Sequence, residues 1–133
     1  GTHALQVCGQ VGMRVPLYSC APGKAILAHW GEARLKEWFR GRSLKRFTET
    51  TLSRRKDLEA ELDGILARGF ATDRAEGIEG IHCVAAPVFD EYRQPLAAVT
   101  VMAPIARFPE DRFEELGVLC RAAAGEIENR LNR

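Results

Sequence analysis

The chain has 133 residues, of which 46% are hydrophobic and 28% charged, with 19 Lys and Arg against 18 Asp and Glu for a net charge of +1. That length predicts one domain burying roughly two-thirds of the surface its unfolded chain would expose. The balanced charge argues against direct DNA binding, which draws on a basic surplus, and no apolar run approaches the ~20 residues that cross a bilayer.

In chain order, Thr2 to Gln10 reads as a strand, with Ala4, Leu5 and Val7 ahead of the turn signals Gly9 and Gly12. Pro16 and Pro22 bracket an irregular segment, and Gly23 to Trp30 reads as a helix with Pro22 at its first position, where a missing N–H costs nothing. Glu32 to Arg40 is a second helix stopped by Gly41. The polar stretch RSLKRFTETTL is read as a loop, with Ser53 as the N-cap of a third helix that carries Leu58, Leu62, Ile65 and Leu66 and ends at Gly69. A strand begins at Phe70 to Asp73, RAEGIEG is a loop, and IHCVAAPVF (81–89) and LAAVTVMAP (96–104) form a hairpin across DEYRQP. From Pro109 an amphipathic helix runs to the end with Phe113, Leu116, Cys120, Ala123, Ile127 and Leu131 on one face. The order predicts an α+β fold, helices covering an antiparallel sheet.

Two regions could carry chemistry. In PLYSCAPGKAILA (16–28) a phosphate loop fails, because Tyr18 stands where the first Gly is needed and Ala25 where Ser or Thr is needed. Cys20 lies near a helix N-terminus, where a thiol can be activated, but no histidine signature accompanies it. The turn itself remains: helix-opening N–H groups either receive an anion or are capped by water. Lys24 is expected to point away, into solvent or a surface ion pair. In the hairpin, Ile81, Cys83, Ala85 and Pro87 share one face and Ala98, Thr100 and Met102 share a face of the partner strand, a surface that suits either a small-ligand pocket or a sheet core. Cys8, Cys20, Cys83 and Cys120 form no CxxC pair, so neither a disulfide framework nor structural zinc is indicated, and a reducing cytoplasm fits.

The segments PLYSCAPGKAILA, LEAELDGILARGFATD and EGIHCVAAPVFDEYRQPLAAVTVMAP, in this order and spacing, together resemble the effector-binding domain of IclR-type bacterial transcriptional regulators, from about Thr2 to Asn129. The resemblance implies a GAF-like antiparallel sheet flanked by helices, not an enzyme and without a cofactor, in a homodimer or homotetramer. It implies that DNA is reached only through a winged helix-turn-helix domain not in this chain, which is read as N-terminally truncated. The effector would be a small carboxylate or aromatic acid. Carried over by position, the site would be lined by Ala4, Val7, Val15, Ala21, Pro22, Gly23, Asp73, Ile81, Cys83, Thr100 and Met102. Pro22 removes one N–H from the turn and Met102 stands where the family often has Ser, which points to a less polar ligand or another pose. The alternatives are a Cys-dependent hydrolase using Cys20 or Cys83 with His82, and a metal-binding sensor using Asp73 and Cys83.

Overall fold

A computed structural model describes residues 11–132, so the predicted first strand, with Ala4, Val7 and Cys8, lies outside the described residues. A 3-10 turn at Leu17–Ser19 leads into helix α1 (Ala21–Leu27). Pro22 is the second helical residue rather than the predicted first, still within the turn whose N–H groups lack helical partners. Helix α2 (Glu32–Phe39) stops before Gly41, which takes a φ of +66° open chiefly to glycine. Helix α3 (Arg55–Arg68) starts after Arg54, not Ser53 as predicted, and without a side-chain cap. The Ser53 hydroxyl instead accepts a bond from Arg46 Nη2 at 3.2 Å. The stop is as predicted: Gly69 is left-handed, and its N–H bonds Ile65 O at 2.7 Å.

The sheet of the described residues has three antiparallel strands in the order β1 (Ala71–Arg74), β2 (Ile81–Phe89), β3 (Pro95–Pro104). Cys83 is the pivot of the register, opposite Asp73 on one side and Met102 on the other, while Ala85 lies opposite Ala71 and Thr100. The β2–β3 turn is closed by Asp90, whose Oδ1 accepts the N–H groups of Tyr92 (2.8 Å) and Gln94 (3.0 Å), with Arg93 left-handed at φ +61°.

Strand alternation splits β2 between two cores. Cys83 and Ala85 pack with Ala71 against Ala25 and Leu27 of α1 and Leu58, Leu62 and Ile65 of α3. Val84, Ala86 and Val88 face the last helix, α4 (Phe113–Leu131), through Phe113, Cys120 and Ala124, with Phe108 closing the end. Each fully buried branched side chain contributes about 1.5–3 kcal/mol relative to exposure. α4 begins later than predicted, after a 3-10 turn at Glu110–Arg112. Its buried line runs Phe113, Gly117, Cys120, Ala124, and Gly117 is required because a Cβ there would enter the Phe70 ring. The predicted apolar face holds at Phe113 and Cys120 but not at Ile127 and Leu131, which are exposed. β2 ends at Phe89, whose N–H is taken by Glu128 Oε1 (3.0 Å) and whose carbonyl accepts from Asn132 Nδ2 (3.3 Å), so the helix has no sheet left to cover there. Among the described residues no helix is long and apolar enough to cross a membrane.

Candidate functional site

On the α1 side of the sheet lies a cavity of about 460 Å³. Its floor is the pivot of the register: Asp73 of β1, Ile81 and Cys83 of β2, and Thr100 and Met102 of β3. One wall is the chain from Met13 to Pro16 with Ser19, Cys20 and Pro22, and the other is Gly77 and Ile78 with Phe47. A cavity of this size and largely apolar lining fits a small organic molecule. A second hollow, about 430 Å³ between α2 and α3, is bordered by the apolar Leu35, Phe39, Leu62 and Leu66 and rimmed by the charged Glu32, Lys36, Arg55, Glu59 and Asp63.

Of the eleven residues named from the sequence, Val15, Pro22, Asp73, Ile81, Cys83, Thr100 and Met102 border this cavity. Ala21 and Gly23 do not. Ala21 is fully buried in the core beneath α1, and Gly23 lies so close to the 3-10 turn that a Cβ would overlap the Leu17 carbonyl oxygen. Both build the turn without facing its cavity. Ala4 and Val7 lie outside the described residues. Sequence reasoning missed Met13, Arg14, Pro16, Ser19, Phe47, Gly77 and Ile78, and weighed Cys20, which also borders the cavity, only as a nucleophile.

Lys24 reverses the expectation drawn from sequence. It is fully buried, with Nζ 2.7 Å from Glu76 Oε1 and 3.8 Å from Glu61 Oε1. The cause is local: α1 is buried on nearly every side, so it has no solvated face to offer a lysine, and the loop after β1 folds back to supply the counter-charge. Glu76 is satisfied on its other oxygen by the Arg74 N–H at 2.9 Å. The pair therefore ties α1, which bears Pro22, to the loop that bears Gly77 and Ile78.

That loop is held from outside by the segment read as a featureless polar stretch. The Thr48 hydroxyl donates to Ala75 O (2.7 Å), that of Thr50 to Arg74 O (2.7 Å) and that of Thr51 to Glu76 O (2.5 Å). Thr51 Oγ1 in turn accepts the N–H groups of Phe47 (3.0 Å) and Thr48 (2.9 Å). These bonds hold Ala75 at φ +58°, a left-handed geometry that costs a non-glycine residue roughly 1 kcal/mol. Tyr18 Oη donates to Lys45 O at 2.7 Å, fastening the threonine segment to the 3-10 turn and bringing Phe47 to the cavity. Glycine is again demanded at 77, where a Cβ would lie 2.5 Å from Ser19 O.

Asp73 is the buried acid of the cavity. Burial pushes its carboxyl up to about 6, the N–H of Glu76 at 2.8 Å pulls it back, and the Glu76 charge adds to the rise while Lys24 opposes it. Burial likewise raises the thiols of Cys20 and Cys83, the latter strongly and with a further push from Asp73. Both sulfurs are thus kept protonated, the reverse of what a nucleophile needs. His82 lies on the other face of the sheet, its Nδ1 2.8 Å from Phe108 O and its ring against Phe113, so the sheet separates it from both thiols. The hydrolase alternative therefore loses the base it named, His82. Asp73 and Cys83 are register partners, but among the described residues no third Asp, Glu, His or Cys joins them in a metal-binding group.

The family model described as "Bacterial transcriptional regulator IclR C-terminal" matches residues 1–129. The chain is 32% identical over 126 residues to the transcriptional repressor IclR of Escherichia coli, covering 95% of this chain and 46% of that protein. It is 34% identical over 125 residues to the HTH-type transcriptional regulator KdgR of the same organism, covering 94% and 48%. The crystal structure of Thermotoga maritima IclR superposes with a TM-score of 0.91 at 36% identity, over 100% of this chain and 54% of that one. The chain spans about half the length of the curated relatives it matches.

Proposed function

Because the chain belongs to the IclR family of bacterial transcriptional regulators, whose C-terminal domain it matches, we propose that it is a non-catalytic sensor that binds a small organic acid or aromatic metabolite in the cavity above Asp73. The observation that carries this reading is the cavity itself: an apolar hollow of metabolite size with one buried carboxyl on its floor. Val15, Pro22, Ile81, Cys83, Thr100 and Met102 surround the ligand's skeleton, and Asp73 reads a polar end. The protein works in the cytoplasm, where DNA is, and the DNA contact belongs to a winged helix-turn-helix domain outside this chain.

A ligand shifts a regulator only by binding two arrangements unequally. In this reading the two arrangements differ at a homodimer or homotetramer contact, and the wall made by α1 and the loop after β1, joined by Lys24 and Glu76, relays occupancy to it. A thermal-shift screen of small carboxylates and aromatic acids tests the binding step, because a ligand at a hundred times its Kd stabilises the native state by about 2.7 kcal/mol. A clear rise in melting temperature that Asp73→Ala diminishes is expected. A screen in which none of these acids stabilises the chain would overturn the reading.

A further inference from the structure

The charges around the cavity are unevenly placed, and this bears on which way round a ligand lies. The inner end is acidic: Asp73 is only 6% exposed, and Glu76 stands behind it with its charge matched by Lys24. Lys24 is thereby committed and does not border the cavity. The helix-opening turn has little to give an anion. Pro22 has no N–H, and Ala21 and Gly23 do not border the cavity. The two thiols are neutral. Among the described lining residues the one cation is Arg14, exposed on the segment before Pro16 and making no ion pair with a described residue.

From this polarity we propose that Arg14 anchors a carboxylate at the open end of the cavity while Asp73 takes a hydrogen-bond donor at the closed end, so that the ligand is an organic acid with a hydroxyl or amino group remote from its carboxylate. The inference rests on the sensor reading above and adds the ligand's class and direction to it. A guanidinium fork matches a carboxylate with two parallel bonds, which a turn lacking the Pro22 N–H does not. The reverse pose sets the ligand's carboxylate beside Asp73, where like charges within a few ångströms are unfavourable. Between the two ends, Phe47, Ile81 and Met102 offer apolar and thioether surface to the carbon skeleton.

The test measures dissociation constants by calorimetry on the 133-residue chain, with para-hydroxybenzoate, para-hydroxyphenylacetate and gamma-hydroxybutyrate, each beside its primary amide, and with benzoate lacking the hydroxyl. At least one hydroxy acid is expected to bind more tightly than its amide, and benzoate more weakly than para-hydroxybenzoate. Arg14→Gln should weaken that acid about tenfold or more and leave the amide unchanged, with Arg14→Lys intermediate. Because Arg14 is exposed, its variants should keep the ligand-free melting temperature, which separates lost binding from lost folding. An acid that binds the wild type and Arg14→Gln equally, or no better than its amide, overturns the Arg14 assignment and leaves the sensor reading standing. Binding by none of the probes, acid or amide, overturns both.

Discussion

Lys24 Nζ lies 2.7 Å from Glu76 Oε1, with both side chains out of solvent and 52 residues apart in the chain. An ion pair in such a place is held less by its own attraction than by the penalty of leaving one member alone: removing a single partner of a buried pair costs about 3–5 kcal/mol, whereas apolar replacement of both is often far milder. Lys24→Met and Glu76→Leu should each lower the unfolding free energy read from urea titration by that order, and the double variant should lose clearly less than the two single losses combined. Additive losses in the cycle would mean that the two side chains are not energetically coupled.

Asp73 gives the chain a pH dependence of definite sign. Its carboxyl titrates near 6 in the folded state against an ordinary value of 3.8, so between these values the native state holds a proton that the unfolded chain has released. The stability from this group is fully present below about pH 3.8 and is lost as pH rises to about 6, amounting to roughly 3 kcal/mol at most. Asp73→Asn keeps an oxygen for the Glu76 N–H and cannot ionise. It should be more stable than wild type at pH 7.5 and converge on it near pH 4. Parallel urea-stability curves for the two proteins across that range would remove Asp73 as the cause.

Two glycines make opposite predictions. At Gly23 a Cβ would overlap Leu17 O and lie 2.6 Å from Leu17 Cα, backbone that has nowhere to go, so Gly23→Ala should cost about 1–3 kcal/mol. At Gly125, inside α4, a Cβ meets nothing within 4 Å, and Gly125→Ala should add about 0.5–1 kcal/mol by restricting the unfolded chain. Thermal melts of both variants, read side by side, check the pair of signs.

Thr51 is the hub of the threonine segment, donating to Glu76 O and accepting two amides from one oxygen. Thr51→Val preserves its shape and leaves a buried carbonyl and two N–H groups without that partner. A loss of about 2–4 kcal/mol is expected, together with faster hydrogen exchange at the amides of residues 74–77. A variant that unfolds early but keeps slow exchange there would show that the threonines do not hold this loop.

The parts of the fold legible in sequence are those fixed by local periodicity. Alternation along residues 81–89 gave both faces of β2, and Gly69 marked the end of α3 because a left-handed stop favours glycine. Floor residues such as Cys83, Thr100 and Met102 were placed by the same alternation, with the family resemblance selecting among them. What escaped is non-local. Nothing near Lys24 in the chain announces Glu76, and the polar loop containing it looks solvated until β1 turns it back under α1. Phe47 reaches the cavity because Tyr18 holds Lys45 O and Thr51 takes the Phe47 N–H, neither of which is close to it in the helical or strand pattern. Ser53 has the composition of a cap, but its hydroxyl is engaged by Arg46 and the helix begins one residue later. Ala21 and Gly23 belong to the right turn, yet their neighbours' direction does not fix their own, and both face the core side.

The threonine segment has a practical consequence for anyone who would open the chain to insert a fluorescent reporter. By composition, residues 42–52 are an inviting site, polar and between helices. Yet Thr48, Thr50 and Thr51 are the outer buttress of the cavity wall, and splitting them would disturb the element a reporter is meant to watch. The Asp90–Gln94 turn, with Tyr92 76% exposed and its bonds confined to the turn's own residues apart from a 3.5 Å pair between Arg93 and Glu128, offers an insertion point that leaves that buttress intact.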